Sequence, residues 1–299
     1  YSRTYFGTYL MQIRTRDGKE FDSKPLKSQK FLYKTILGRL ILKALIRPSF
    51  SKKIGKKLDS PKSLKKAYKF ARKNNINLDD FILDDINSFN DFFSRKIKDG
   101  RRIIDMGPSH LISPCDSKAS TYKIDNDLIL KIKNSCYKVK DLINNEELAK
   151  NYYNGTCLVL RLCVDDYHRY CYIDDGTKEE NIFIPGVLHT VNPIALENYK
   201  IYSQNQREYT IMHTKNFGDV IQIEVGAMMV GKIVNYEGKA DIKRGEEKGK
   251  FLYGGSTIIL LLNQNIKIDD DIIKNTQDGA ETIVKMGEKI GELDEKAYK

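Results

Sequence analysis

The chain has 299 residues, 40% apolar and 30% charged. That balance excludes a disordered chain and a membrane-spanning one, and it leaves one large domain or two smaller ones with a sizeable core. The formal net charge of +11 asks for an anionic partner, either nucleic acid or a membrane, or else for a broad solvated basic face.

The five cysteines (Cys115, Cys136, Cys157, Cys163 and Cys171) are odd in number and form no Cys-x-x-Cys pair. Free thiols in a reducing compartment fit this better than a disulfide framework. No run approaches the roughly 20 apolar residues needed to cross a bilayer. The start, Tyr1-Ser2-Arg3-Thr4-Tyr5, lacks the apolar stretch of a signal peptide. The expected location is the cytosol or the cytosolic face of a membrane.

Eleven Lys or Arg residues and no Asp or Glu fall between Lys24 and Lys57. Within that stretch Phe31, Leu32, Ile36, Leu37, Leu40, Ile41, Ala44 and Leu45 recur at helical spacing, which predicts a helix from Ser28 to Phe50, ended by Pro48. Lys34, Arg39, Lys43 and Arg47 make it basic and amphipathic. Such a helix lies in a membrane interface or packs on the core, and different faces can do both. A second helix is predicted over Ser60–Lys73, opened by Ser60-Pro61, and a third over Asp79–Phe93.

After about Arg101 short apolar runs alternate with Gly, Asn and Asp. Leu128–Ile132, Cys157–Val164, Asn181–Ile184, Val220–Val225, Lys232–Tyr236 and Ser256–Leu262 read as strands. Two segments echo each other: Ile242-Lys243-Arg244-Gly245-Glu246-Glu247-Lys248-Gly249 and Val284-Lys285-Met286-Gly287-Glu288-Lys289-Ile290-Gly291. Read as two hairpins turned at glycine, they suggest a β-sandwich with quasi-equivalent halves. The expected fold class is α+β, with basic N-terminal helices over residues 1–100 and a β-rich, sandwich-like catalytic part over 101–299.

Gly254-Gly255-Ser256-Thr257, ahead of an apolar strand, is an ordinary turn in most chains. Chemically, Gly255 has no Cβ to shield its carbonyl, and the Ser256 hydroxyl lies one bond away. Reached through Gly245-Glu246-x-x-Gly249-x-Phe251, this segment resembles the self-cleavage motif of the phosphatidylserine decarboxylases, bacterial type, with Gly254 where many members carry Leu. Phe92-Phe93-Ser94-Arg95, Ser113-Pro114-Cys115-Asp116 and Asp166-Tyr167-His168-Arg169 are similar to further segments of that family, in order. So are Gly186-x-Leu188-His189-Thr190-Val191-Asn192-Pro193 and Val225-Gly226-Ala227-x-x-Val230-Gly231.

The resemblance implies cleavage between Gly255 and Ser256, which leaves a β chain ending at Gly255 and an α chain that begins with a pyruvoyl group made from Ser256. It implies an Asp116–His168–Ser256 relay for the cut. It also implies a Schiff base between the pyruvoyl ketone and phosphatidylserine, with phosphatidylethanolamine and CO₂ as products and His168 as the proton donor. The family commonly repeats His as His-Arg-x-His. Cys171 stands at the second place here, so His189 is an alternative base.

A peripheral site on the cytoplasmic side of the cell membrane, on anionic phospholipid, is expected, and a homodimer is left open. Cys163, His168 and Cys171 lack a fourth ligand, so no metal is expected. A pyruvoyl decarboxylase of a soluble amino acid would have no use for the basic amphipathic segment. A nucleic-acid-binding protein would show a recognisable module, and this chain shows none; no nucleic-acid partner is expected.

Overall fold

Two strands set the middle of the molecule. Thr156–Leu162 and Ser256–Leu262 are buried along their whole length. Their near-continuous apolar sequences are what strands covered on both faces require. In the computed structural model, which describes residues 11–23, 25–132, 135–196, 198–228 and 232–294, they pair antiparallel from Ser256 opposite Leu162 to Leu262 opposite Thr156.

Around them grows an eleven-stranded sheet. Its main path runs Ala240–Ile242, Gly176–Lys178, Arg207–Thr214, Gly218–Val225, Ser256–Leu262, Thr156–Leu162, Ser117–Lys123, Glu281–Val284, Met11–Arg14 and Glu20–Ser23. Neighbours on this path are antiparallel except Met11–Arg14, which lies parallel to Glu281–Val284.

The two-residue period of the strands splits the core. Leu158, Leu160, Ile258 and Leu260 share one cluster with Tyr170, Phe251, Leu111 and Ile290. The latter four belong to two small sheets: Arg169–Cys171 with Glu247–Phe251 and Ile233–Asn235, and His110–Ile112 with Lys289–Leu293 and Ile266–Ile268. Cys157, Val159, Ile259 and Leu261 join a second cluster with Tyr33, Leu42, Leu142 and Tyr202. Helices and strands are thus mixed, and the fold is α+β.

The two echoing segments are corners rather than hairpins. Ile242 ends a strand of the large sheet, and Glu247 begins one of a small sheet. Val284 and Lys289 repeat the arrangement. Both corners turn on a glycine in the left-handed region, Gly245 at φ +79° and Gly287 at φ +85°. In each, the fourth residue's amide returns to the first residue's carbonyl at 3.1 Å. In each, a Glu carboxylate accepts from that first residue's N–H: Glu246 from Lys243 and Glu288 from Lys285. The sequence equivalence is therefore real, but its strands lie in different sheets.

The N-terminal helices are α1 (Lys27–Lys34), α2 (Ile36–Leu45), α3 (Pro48–Leu58), α4 (Leu64–Lys73) and α5 (Phe89–Phe93). The single helix expected over Ser28–Phe50 is broken twice. Thr35 is extended, and its hydroxyl accepts from the Gly38 N–H at 2.9 Å as the cap of α2. Pro48 starts α3 instead of only ending its predecessor. The helix expected over Asp79–Phe93 is confined to α5, because Leu78–Asp80 makes a 3₁₀ turn and Phe81–Ile82 a short strand. Tyr1–Tyr5, Lys24 and the Val230-Gly231 end of one family segment lie outside the described residues.

Candidate active site

Ser256 is the first residue of its strand and is fully buried. Its hydroxyl has no hydrogen-bond partner, and neither has that of Thr257. The chain reaches it through Gly254, at φ +131°, a conformation side chains resist. It then passes Gly255, where a Cβ would sit 3.1 Å from Val191 Cγ2. Glycine at both positions lets the chain turn sharply into a closed space.

The loop before Ser256 is clamped. The Tyr253 ring packs edge-on against Phe89 at 4.9 Å and Phe93 at 5.2 Å, and its N–H donates to Asn90 Oδ1 at 3.3 Å. The Phe251 N–H donates to the His168 carbonyl at 2.9 Å. Helix α5 therefore supplies one wall, and the segment of His168 another.

His168 is fully buried, with its ring 4.1 Å from that of Phe93. It follows a tight turn at the end of the Thr156–Leu162 strand. Asp166 donates its N–H to the Cys163 carbonyl and accepts the Cys163 N–H, and Lys118 donates to both Asp166 oxygens at 2.7 and 2.6 Å. The Cys163 carbonyl also lies 2.9 Å from His168 Nε2. A carbonyl only accepts, so Nε2 carries the proton and Nδ1 the lone pair. Nδ1 is buried and has no partner. Burial pulls the imidazole down to about 3, so it is neutral at physiological pH.

His189 sits in the loop that ends at Val191. Its backbone is held by the Asn205 side chain, through the His189 N–H at 3.0 Å and the His189 carbonyl at 2.9 Å. The buried Tyr33 hydroxyl of α1 accepts the Thr190 N–H at 3.0 Å and donates to His189 Nδ1 at 3.2 Å. Tyr199 stacks on the imidazole at 4.1 Å. Burial draws His189 down to about 4.

Asp116 is equally buried, and its hydrogen bonds run elsewhere. It accepts from Arg102 Nε at 2.8 Å, from Arg102 Nη2, from the Met286 N–H at 2.9 Å and from Lys285 Nζ at 3.4 Å. Burial alone would raise its carboxyl; the Arg102 and Lys285 charges and the Met286 N–H win and hold it below the usual range. None of these bonds goes to His168.

The structure therefore brings Ser256 under Val191 and the clamped loop, and places His168 beside that loop. No hydrogen bond joins Ser256, His168 and Asp116. Cys171 lies in the core, its thiol pushed up to about 12 by burial, and offers no base. His110 and His213 pair with Asp105 at 2.9 Å and Asp219 at 2.7 Å, apart from these residues.

Arg102, Lys285, Tyr33 and Phe93 were not singled out by sequence reasoning as site residues. The only signals were that Lys285 belongs to an echo segment and Phe93 to a family segment. Arg102 and Tyr33 carried none.

On α1 and α2 the inward residues are Tyr33, Gly38 and Leu42, while Ile36, Leu37, Leu40 and Ile41 are exposed, Ile36 by 77%. Among the described residues no helix is long and apolar enough to cross a membrane.

Comparison with known proteins matches residues 89–292 to the family model described as phosphatidylserine decarboxylase. The chain is 51% identical over 95% of its length to a phosphatidylserine decarboxylase proenzyme 2 of Clostridium acetobutylicum, covering 99% of that protein. It is 44% identical over 94% of its length to a phosphatidylserine decarboxylase proenzyme of Clostridium kluyveri, and 42% identical over 94% to one of Clostridium novyi, in each case covering 99% of the relative.

Proposed function

The chain belongs to the phosphatidylserine decarboxylase family, and from that premise we propose that it cuts itself between Gly255 and Ser256 and decarboxylates phosphatidylserine on a membrane. The observation that carries the reading is the buried, unpartnered Ser256 hydroxyl directly after two glycines. A buried hydroxyl without a partner is costly, and such a group is retained where it has chemical work.

In the cut, Ser256 Oγ adds to the Gly255 carbonyl and the amide becomes an ester. Loss of the Ser256 α-proton expels the Gly255 carboxylate. The dehydroalanine left behind takes up water and releases ammonia, leaving a pyruvoyl group. A hydroxyl needs a base for the first step. His168 fits through its neutral, unengaged Nδ1. His189 fits less well, because its Nδ1 already accepts from Tyr33. Asp116 then acts on this base through the local field, against the charges of Arg95 and Lys118.

The residues present suit a pyruvoyl group: Ser256 is its source, and Val191, Tyr253 and Phe93 close its surroundings to water. When in place, it supplies an electrophilic ketone that takes the substrate amine and the electrons freed as CO₂ leaves. His168 would return the proton to the α-carbon.

The exposed apolar residues of α1 and α2, with Lys34, Arg39, Lys43 and Arg47, support peripheral docking on anionic lipid at the cytoplasmic side of the cell membrane. Residues 1–100 then dock and 101–299 catalyse, although Met11–Arg14 adds a strand to the catalytic sheet.

Intact mass under denaturing conditions tests the cut. Two chains are expected, with the small one, residues 256–299, blocked at its N-terminus. Active preparations of one uncut mass overturn the reading. Ser256→Ala is expected to remain uncut and release no CO₂.

A further inference from the structure

Three arginines, one buried and two half-buried, use the same edge of the guanidinium. In each, Nε–H and one Nη2–H project side by side at the spacing of two oxyanion oxygens. Arg102 grips Asp116 this way, Arg161 grips Glu281 and Arg16 grips Asp271. Arg207 lays the edge on the Leu142 and Asp141 carbonyls instead, and Arg95 leaves it free. Arg95 is 2% exposed, and its Nε and Nη2 have no partner at all. Only Nη1 is engaged, with the Phe92 carbonyl at 3.2 Å and the Phe93 carbonyl at 3.5 Å. The guanidinium lies 4.0 Å over the Phe81 ring and 5.1 Å from that of Phe92, which fixes its plane. Burial draws it down to about 10, which leaves it charged at neutral pH.

A buried charge without a counter-ion is unfavourable and asks for one. No carboxylate of the protein bonds its free edge, and Asp116 acts on it only through its field. Arg95 borders a cavity of about 150 Å³ that Asp116, Asp166, Asp80 and Asp165 also line. Asp116 is held by Arg102 and Lys285, Asp166 by Lys118 and Asp80 by Arg101. Asp165 is exposed and makes no hydrogen bond to Arg95. The cavity is near the proposed chemistry: Arg95 comes two residues after Phe93, whose ring touches His168, and Arg169 Nε holds the intervening Ser94 carbonyl at 2.7 Å.

Building on the decarboxylase reading, we propose that the Nε–Nη2 edge of Arg95 binds the phosphodiester of the phospholipid headgroup. The substrate has two anions, and only one suits this edge. The α-carboxylate loses its charge as CO₂ departs, so a fork on it would stabilise the ground state more than the transition state. The phosphodiester keeps its charge throughout. Gripping it draws the headgroup in without slowing the bond cleavage.

The test uses mature wild type, Arg95→Lys, which keeps the charge but loses the fork, and Arg95→Gln. Chain cleavage is scored by mass, and CO₂ release is measured against the surface fraction of phosphatidylserine in mixed micelles. For cleaved Arg95→Lys, KM is expected to rise about 10- to 100-fold, the range for losing charge-assisted hydrogen bonds, with kcat within about twofold. Glycerophosphocholine, a phosphodiester with neither primary amine nor carboxylate, is expected to compete with substrate in wild type and not in Arg95→Lys.

An unchanged KM in Arg95→Lys, or a fall confined to kcat, overturns the inference. Should both variants fail to fold, wild type decides alone, and absence of competition by glycerophosphocholine overturns it. Competition by inorganic phosphate without competition by glycerophosphocholine assigns the edge to free phosphate and overturns the headgroup claim. A wild type that releases no CO₂ from phosphatidylserine sinks the decarboxylase reading, and the headgroup assignment with it. Failure only in the Arg95 comparison leaves that reading standing.

Discussion

A histidine that is neutral because it is buried behaves unlike one in water. Its folded value near 3 lies below the unfolded 6.5, so the folded state binds fewer protons and loses stability as pH falls from about 6.5 towards 3. At pH 5 the loss through His168 is about 2 kcal/mol, from 1.36 kcal/mol per pH unit. On the proposed reading, in which His168 is the base, the same neutrality keeps it competent. Self-cleavage measured on freshly unmasked precursor is therefore expected to hold its rate from pH 8 down to about 5; a fall through 6.5 would show an ordinary, solvated imidazole as the base. The pair His168→Ala and His189→Ala, each scored separately for cleavage and for CO₂ release, assigns the roles. His168→Ala is expected to block cleavage, and normal cleavage in that variant with none in His189→Ala would transfer the base to His189. At this scale the candidates were readable because Ser256, His168, Asp116 and His189 stand in contiguous, recognisable segments. Their partners were not. Arg102 meets Asp116 across 14 residues, and Met286 meets it across 170. Such pairings are decided only when strands and corners close, and no local pattern encodes them.

Helices α1 and α2 show the same division one level up. The apolar spacing indicated a helix, but of the residues that carried it Phe31, Ile36, Leu37, Leu40 and Ile41 face outward, while Tyr33, Gly38 and Leu42, outside that pattern, pack inward. The break at Thr35 was unread, because a Thr three residues before a Gly is a modest cap signal inside a long apolar pattern. The break depends on Gly38, where a Cβ would stand 2.0 Å from the Phe31 carbonyl oxygen. Gly38→Ala is thus expected to force α1 and α2 apart and to lower Tm by several degrees in thermal unfolding. Changing Lys34, Arg39, Lys43 and Arg47 to Glu is expected to abolish binding to anionic vesicles, since each basic residue near such a surface is worth about 1 kcal/mol. Equal flotation of both proteins with neutral and anionic vesicles would refute the electrostatic part. Tyr33 links this surface to the loop over Gly255. Tyr33→Phe leaves the Thr190 N–H unsatisfied and is expected to cost about 1–3 kcal/mol in denaturant unfolding.

At the scale of the whole molecule, the apolar runs located the central strands well, and Ser256–Leu262 has the expected limits. Strands rich in polar residues, such as Arg207–Thr214 and Ser117–Lys123, escaped because sheet neighbours rather than their own composition hold them. The order of strands has its own consequence. Ser256–Leu262 lies between Gly218–Val225 and Thr156–Leu162, and Glu281–Val284 lies between Ser117–Lys123 and Met11–Arg14. A cut before Ser256 therefore leaves a 44-residue fragment woven at two places into the sheet of the other. The halves cannot part without dismantling the core, yet once apart they must find each other again by diffusion. With the proposed cut, folding becomes a single-use event: the intact precursor has the memory of the fold, and the cut enzyme has spent it. After dilution from urea, uncut Ser256→Ala is expected to refold at a rate independent of protein concentration, whereas the mature pair recovers slowly, more slowly when dilute, and with losses to aggregation.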